Sequence, residues 1–319
     1  MIITDHFFNK KLFIGGTLSI VPSLLIYLLT GDQKFIIGSI ASISFFYMLA
    51  TEADTKKILY IIPITYLLSM VLLFLENNAS VMTYPFLIII SFLSIIFRMV
   101  NLNKSTGLYV SVIVLFFAIP VSHYRMSPLL VNYLATSSVF LISTLPPVML
   151  FLYSTRFKDI KNENGYTSQT EIVLESTSLL ISTVICAAIA SRLHGYDAPM
   201  LMWSCIVVNS CRIKNSGDKL KDRIFPGIAG VCIGYIIGIF LKNLEYTLLI
   251  SSYITMLSLI SFKNYSVGFF IRCVSFPVGV CALYQSDNLI SARVTEIFLG
   301  GCLSFISVFL VALFSWRRL

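Results

Sequence analysis

Apolar runs about the length of a bilayer span alternate with short clusters of charged and turn-forming residues along the whole chain. In the first half the runs cover 12–29, 35–50, 58–75, 81–97, 107–122 and 128–153; in the second they cover 172–191, 198–211, 224–241, 244–262, 265–283 and 294–316. A spanning helix takes about 20 apolar residues, so each run is read as a transmembrane helix. Runs 35–50 and 198–211 are marginal in length, which makes the count eleven or twelve. The fold class expected is all-α: a polytopic integral membrane protein.

The charges set the orientation, because loops rich in Lys and Arg stay cytoplasmic. Over alternate loops, 17 of the 23 Lys and Arg residues collect on one side, among them Lys10, Lys11, Lys56, Lys57 and the cluster from Lys219 to Arg223. Lys34, Arg125, Arg192, Lys242 and Arg293 fall on the other side, and Arg272 falls inside a run. Both termini are then cytoplasmic, which requires an even number of spans and favours twelve. The same bias accounts for the net charge of +8 without a nucleic acid or an acidic partner.

Composition narrows the function classes. A hydrophobic fraction of 57%, a charged fraction of 12% and a mean hydropathy of +0.88 over 319 residues exclude a soluble globular protein. Twelve crossings consume nearly the whole chain, so no ectodomain, kinase-like module or nucleotide-driven pump domain fits, and no GxxxxGK(S/T) loop is present. Lys10 and Lys11 precede an apolar run as in a secretory signal, but no small-x-small cleavage site follows, and an uncleaved first helix is expected. The seven cysteines all lie in the second half with no C-x-x-C pair and read as packing residues.

The two halves can be overlaid at an offset of about 160 residues. Each has a long first span, a Gly in the first external loop (Gly31, Gly195), a short second span, a basic loop, and a proline near the outer end of the fifth span (Pro120, Pro277). Six spans per half give both repeats the same orientation, with the substrate path expected at their interface. The domains are then a first six-helix repeat at 1–153, a polar cytoplasmic linker at 154–171 and a second six-helix repeat at 172–319.

Chemistry concentrates in the second half. Arg223 opens the ninth span at its cytoplasmic end, as an anchor or as an anion-binding group, and is followed by Gly227, Gly230, Gly234 and Gly238. Glycines every three or four residues line one helix face and let another backbone approach closely. Arg272 stands about two turns into the eleventh span, where an arginine is costly and faces a bundle interior or a wet cavity unless it snorkels out. Pro277 frees a carbonyl nearby, and a cation beside a broken helix suits an anionic substrate. At the outer end of the twelfth span Arg293 and Glu296 are three apart and can pair on one face, either to ease insertion or to carry a proton-linked role. Pro146-Pro147, Pro22, Pro63 and Pro85 interrupt other spans, a weaker transporter signal.

The order R-x-x-x-G-x-x-G (Arg223, Gly227, Gly230), a polar aromatic turn (Lys263-Asn264-Tyr265) and R-x-x-(D/E)-x-x-x-G (Arg293, Glu296, Gly300) resembles the membrane module of the fusaric-acid-resistance (FUSC) and aromatic acid exporter superfamily over roughly residues 170–316. The first half resembles a degenerate copy, with Lys57 near the place of the first arginine and Ser127 or Asn132 near that of the second; Pro226 replaces a usual glycine. The short linker resembles compact two-repeat members that accompany a periplasmic adaptor of the membrane-fusion type. The resemblance implies a multi-pass inner (plasma) membrane protein of bacterial type that exports small organic anions such as aromatic carboxylates, driven by the proton gradient. It carries over Arg223, Gly227, Gly230, Arg293 and Glu296 by position; with Arg272 from the residues alone, Arg272, Arg223, Arg293, Glu296 and Tyr265 are the expected substrate-binding residues, and Gly227, Gly230, Gly234, Gly300 and Pro277 are read as helix-packing residues.

Other function classes make different demands on the sequence. A non-transporting scaffold subunit of an envelope complex would need the glycine rows but not the intramembrane arginine. An enzyme would need His, Asp or Glu clustered at one membrane face, whereas His6, His123 and His194 stand on different loops and no metal or cofactor motif accompanies them. A channel stays open, as does homo-oligomerisation.

Overall fold

The computed structural model describes residues 8–51, 55–78, 88–89, 106, 109–114, 129–153, 169–190, 197–209, 216–241, 243–244, 246–284 and 288–316. Most of runs 81–97 and 107–122, linker residues 154–168, Gly195, Pro85, Pro120, Ser127, the three histidines and the side chain of Asn132 lie outside the described residues. The described residues form ten helices: α1 (Lys10–Thr30), α2 (Lys34–Thr51), α3 (Thr55–Asn78), α4 (Leu129–Tyr153), α5 (Gln169–Ala190), α6 (Asp197–Asn209), α7 (Ser216–Leu241), α8 (Thr247–Leu257), α9 (Tyr265–Tyr284) and α10 (Asn288–Trp316). Among the described residues there is no strand, only an isolated bridge between Phe8 and Phe262. Seven helices (α1, α2, α3, α4, α7, α9 and α10) are long and apolar enough to cross a membrane, and the chain is an all-α, multi-pass membrane protein.

The helices gather into two compact units, each drawing on both halves of the chain: one of residues 1–50, 139–159 and 221–297, the other of 51–138, 160–220 and 298–319. In the first, the Asn9 side chain caps α1 by accepting from the Leu12 amide at 3.2 Å, and Gly31 ends it at φ 69°, a left-handed conformation in which its amide donates to the Tyr27 carbonyl. With lipid as apolar as leucine, association there rests on close packing and hydrogen bonds rather than on the hydrophobic effect. Accordingly α2 turns small polar residues inward, and Ser42 Oγ donates to the Ser143 carbonyl of α4 at 2.8 Å. The Phe45 and Phe140 rings meet edge to face at 5.8 Å beside it. In the second unit α5 packs on α6, and Ser304 Oγ of α10 donates to the Cys205 carbonyl of α6 at 2.6 Å.

Helix α8 departs from expectation in a way that matters for the site. The apolar run 244–262 predicts a full span, but the helix stops at Leu257 after 11 residues, about 16 Å of rise against a bilayer core of about 30 Å. Its last turn tightens to i−3 bonds, Leu259 to Met256 and Ile260 to Leu257. The carbonyls that would carry it onward have partners elsewhere: Ser261 accepts from the Asn9 amide at 2.8 Å and Ser258 accepts from Arg272. Hydropathy alone cannot register such competition.

Candidate functional site

The charges between Asp218 and Arg223 set the start of the ninth span at 224, yet α7 begins at Ser216. Charged residues do not break a helix, and Asp218 in the first turn suits its positive end. Arg223 therefore stands two turns inside α7 and is 3% exposed, rather than at the mouth of a loop. Below it the glycines press α7 onto α9, the two helices running parallel. A Cβ on Gly227 would lie 2.9 Å from Phe269 Cε1, one on Gly230 2.8 Å from Cys273 Cβ, and one on Gly238 2.8 Å from Cys281 Sγ; one on Gly234 would strike the Val274 carbonyl.

Across this seam α9 presents Tyr265, Phe269, Arg272 and Phe276, spaced four, three and four apart and so on one face. Tyr265 and Phe269 stack at 5.8 Å with 10° between planes. Arg223 Nη1 donates to the Tyr265 hydroxyl at 3.1 Å, and its guanidinium carbon lies 4.6 Å from the Phe269 ring centre. The guanidinium carbon of Arg272 is 5.8 Å from that same centre, so one ring serves two cations.

Arg272 is buried and anchored by the end of α8. Its Nε donates to Ser258 Oγ and its Nη2 to the Ser258 carbonyl, both at 3.3 Å, where the negative end of the α8 dipole favours a cation. Gly268, one turn earlier on α9, lies against the same carbonyl: a Cβ there would be 3.0 Å from it. Pro277 is buried within α9 and has no amide hydrogen to give the Cys273 carbonyl four residues back.

α10 starts at Asn288, six residues before the predicted span, so Arg293 lies more than a turn inside it, 3% exposed. Its Nη1 donates to Glu296 Oε2 at 3.3 Å, and its guanidinium carbon is 5.3 Å from the Phe276 ring centre. The Cys273 side chain is fully buried beside them, packed with Phe269, Ile297 and Val231. Arg223 and Arg293 were expected at the starts of their spans, on opposite membrane faces; both helices begin earlier, and both arginines meet the stretch of α9 from Tyr265 to Phe276. Ser266 Oγ donates to Asp222 Oδ1 at 2.7 Å beside them.

One compact unit thus joins Arg223, Tyr265, Arg272, Arg293 and Glu296 around Phe269 and Cys273, which pack with Val231 and Ile297. Gly300 belongs to the other unit, where a Cβ would lie 2.6 Å from Ser204 Cβ of α6; Lys57, on α3, is in that unit too. Chemically the arrangement offers planar N–H donors and aromatic faces in a low-dielectric setting, a combination suited to a carboxylate on a flat, apolar body. Ser258, Phe269, Cys273 and Phe276 were not singled out in the sequence. Phe269 and Phe276 stand three before and four after Arg272 and so share its helix face, but phenylalanine is too common in this chain for the spacing to single them out; Cys273 is its neighbour in sequence, and Ser258 comes from another element and had no such signal. Among the described residues no three His, Cys, Asp or Glu side chains group as a metal site. An apolar groove of about 210 Å³ lies elsewhere in this unit, lined by α1 and α8 residues including Leu25, Leu28 and Tyr253.

Residues 185–307 match the family described as fusaric acid resistance protein-like, which bears out the resemblance read from the motifs over that segment. No curated protein and no solved structure matches the chain.

Proposed function

We propose that the protein is a secondary transporter of the bacterial inner membrane that exports small organic anions, aromatic carboxylates foremost, down a path in which Arg272, Arg223 and Arg293 hold the carboxylate and Tyr265, Phe269 and Phe276 flank its ring. The observation that carries this reading is the convergence of three buried guanidiniums on one aromatic face within a single compact unit. Arginine inside a span costs roughly 2.5–3.5 kcal/mol on insertion scales, and sites that hold several are functional by default. The short helix α8, ending at Arg272, supports the reading further, since interrupted helices supply the polar ends that transporter sites use.

The finer parts of the proposal are twelve spans with both termini cytoplasmic, two parallel six-helix repeats, proton coupling and a membrane-fusion-type adaptor on the periplasmic side. The charge bias and the family match over 185–307 support them. The test is efflux of benzoate and related acids from liposomes holding the purified protein, with and without an imposed pH gradient. Wild-type protein is expected to show gradient-dependent flux, and Arg272→Gln to insert normally and lose it. Undiminished export by Arg272→Gln would overturn the site. Absence of flux with every acid would favour the second reading, a scaffold subunit, which the dense glycine packing of α7 on α9 suits equally well.

A further inference from the structure

The carboxylate found at Arg293 belongs to the protein itself. Glu296 offers Arg293 the same chemical group that an organic acid would bring, and does so from the same helix, three residues on. The two side chains are only 4% and 6% exposed, yet Nη1 and Oε2 are 3.3 Å apart, longer than the roughly 2.7–2.9 Å of a tight charge-assisted hydrogen bond. Both partners stand on one helix, so the pair is held by two side chains of α10 rather than across a helix–helix contact. Around it stand the groups a second anion would use: the Phe276 ring over Arg293 and the guanidiniums of Arg272 and Arg223, which donate to Ser258 and to Tyr265.

We infer that Glu296 is an internal competitor for the anion site: it neutralises Arg293 while the site is empty, yields to the carboxylate of the cargo, and returns to expel it. The inference rests on the transport reading above and adds to it a means of release. A buried site with several guanidiniums would otherwise hold an anion too long for turnover, and passage requires binding weak enough to leave. Removing Glu296's charge takes away the carboxylate that competes with the cargo for Arg293, so the variant should bind more tightly and turn over more slowly.

The experiment measures equilibrium binding of radiolabelled benzoate to the purified full-length protein in detergent, with thermal unfolding recorded on the same samples. Glu296→Gln is expected to bind benzoate about tenfold or more tightly than wild type, the size of a close charge-pair coupling. Glu296→Asp keeps the charge on a shorter arm and should tighten binding by a smaller factor; it carries the test if the Gln variant fails to fold. In liposomes the Gln variant should show slower efflux at saturating benzoate despite its tighter binding, which a merely structural ion pair would not produce. Equal or weaker binding by the folded variants, with binding still lost in Arg272→Gln, overturns the competitor role and leaves the site reading standing. Wild-type binding in Arg272→Gln, or none in wild type and Glu296→Gln alike, overturns both.

Discussion

Replacing Gly230 by alanine adds one methyl group at the seam between α7 and α9, and the structure sets the size of the consequence. The new Cβ would lie 2.8 Å from Cys273 Cβ and 2.8 Å from the Phe270 carbonyl oxygen. Carbon atoms pack at about 3.5–4.0 Å, so α7 must retreat by about 1 Å, and neither obstacle is a side-chain end that can swing aside. Arg223 stands seven residues earlier on the same face, and its bond to Tyr265 would stretch from 3.1 Å to about 4 Å, beyond hydrogen-bonding range. Overpacking costs roughly 1–3 kcal/mol and alanine's helix propensity returns about 1 kcal/mol, for a net destabilisation of up to about 2 kcal/mol. The control is Gly301→Ala in α10, where the added Cβ would meet only Leu220 Cδ1, at 2.8 Å, a methyl that can rotate away. That variant should be neutral or slightly stabilised. Thermal unfolding in one detergent, followed by helical circular dichroism, together with benzoate efflux from liposomes, measures both. Gly230→Ala should melt lower than Gly301→Ala and lose most of its efflux. Indistinguishable melting and efflux in the two would refute the close approach of α7 to α9 as the support of Arg223.

Two further outcomes follow from the aromatic face and the end of α8. Phe269→Leu keeps the apolar volume but removes the ring beneath two guanidiniums; at about 0.5–2 kcal/mol for each cation–π contact, the benzoate concentration for half-maximal efflux should rise about tenfold, while Phe269→Tyr stays near wild type. Ser258→Ala removes the oxygen that accepts from Arg272 Nε and leaves the carbonyl to Nη2, so half-saturation should rise about fivefold to tenfold with melting little changed; an unaltered half-saturation would show that Ser258 does not position Arg272.

The all-α membrane fold was legible because hydropathy and span length are first-order quantities in lipid, and Arg272 was legible because a charge inside an apolar run is expensive and conspicuous. Phe269 and Phe276 were not, since among 25 phenylalanines in so apolar a chain a ring beside an arginine has no compositional contrast. The short α8 was hidden for a related reason: its end is decided by which distant groups take the carbonyls of Ser258 and Ser261, and no local residue announces them. The helix starts at Arg223 and Arg293 were misjudged because charge was treated as the end of a helix, whereas both helices continue through their charged turns.

That misjudgement also explains what the glycine row is for. Residues 223, 227, 230, 234 and 238 are spaced four, three, four and four, so Arg223 heads the same stripe that the glycines continue. A stripe of larger residues would hold α7 away from α9 and leave the arginine reaching across a gap filled by side chains. With glycine at the next positions, the helix backbones meet, Gly227 lies against the Phe269 ring itself, and the guanidinium is laid over that ring from a backbone already at contact distance. The packing motif and the cation are therefore one device: Gly227 and Gly230, the glycines next to Arg223, set the distance at which it meets Tyr265 and Phe269, and a methyl added at either should be felt at the arginine.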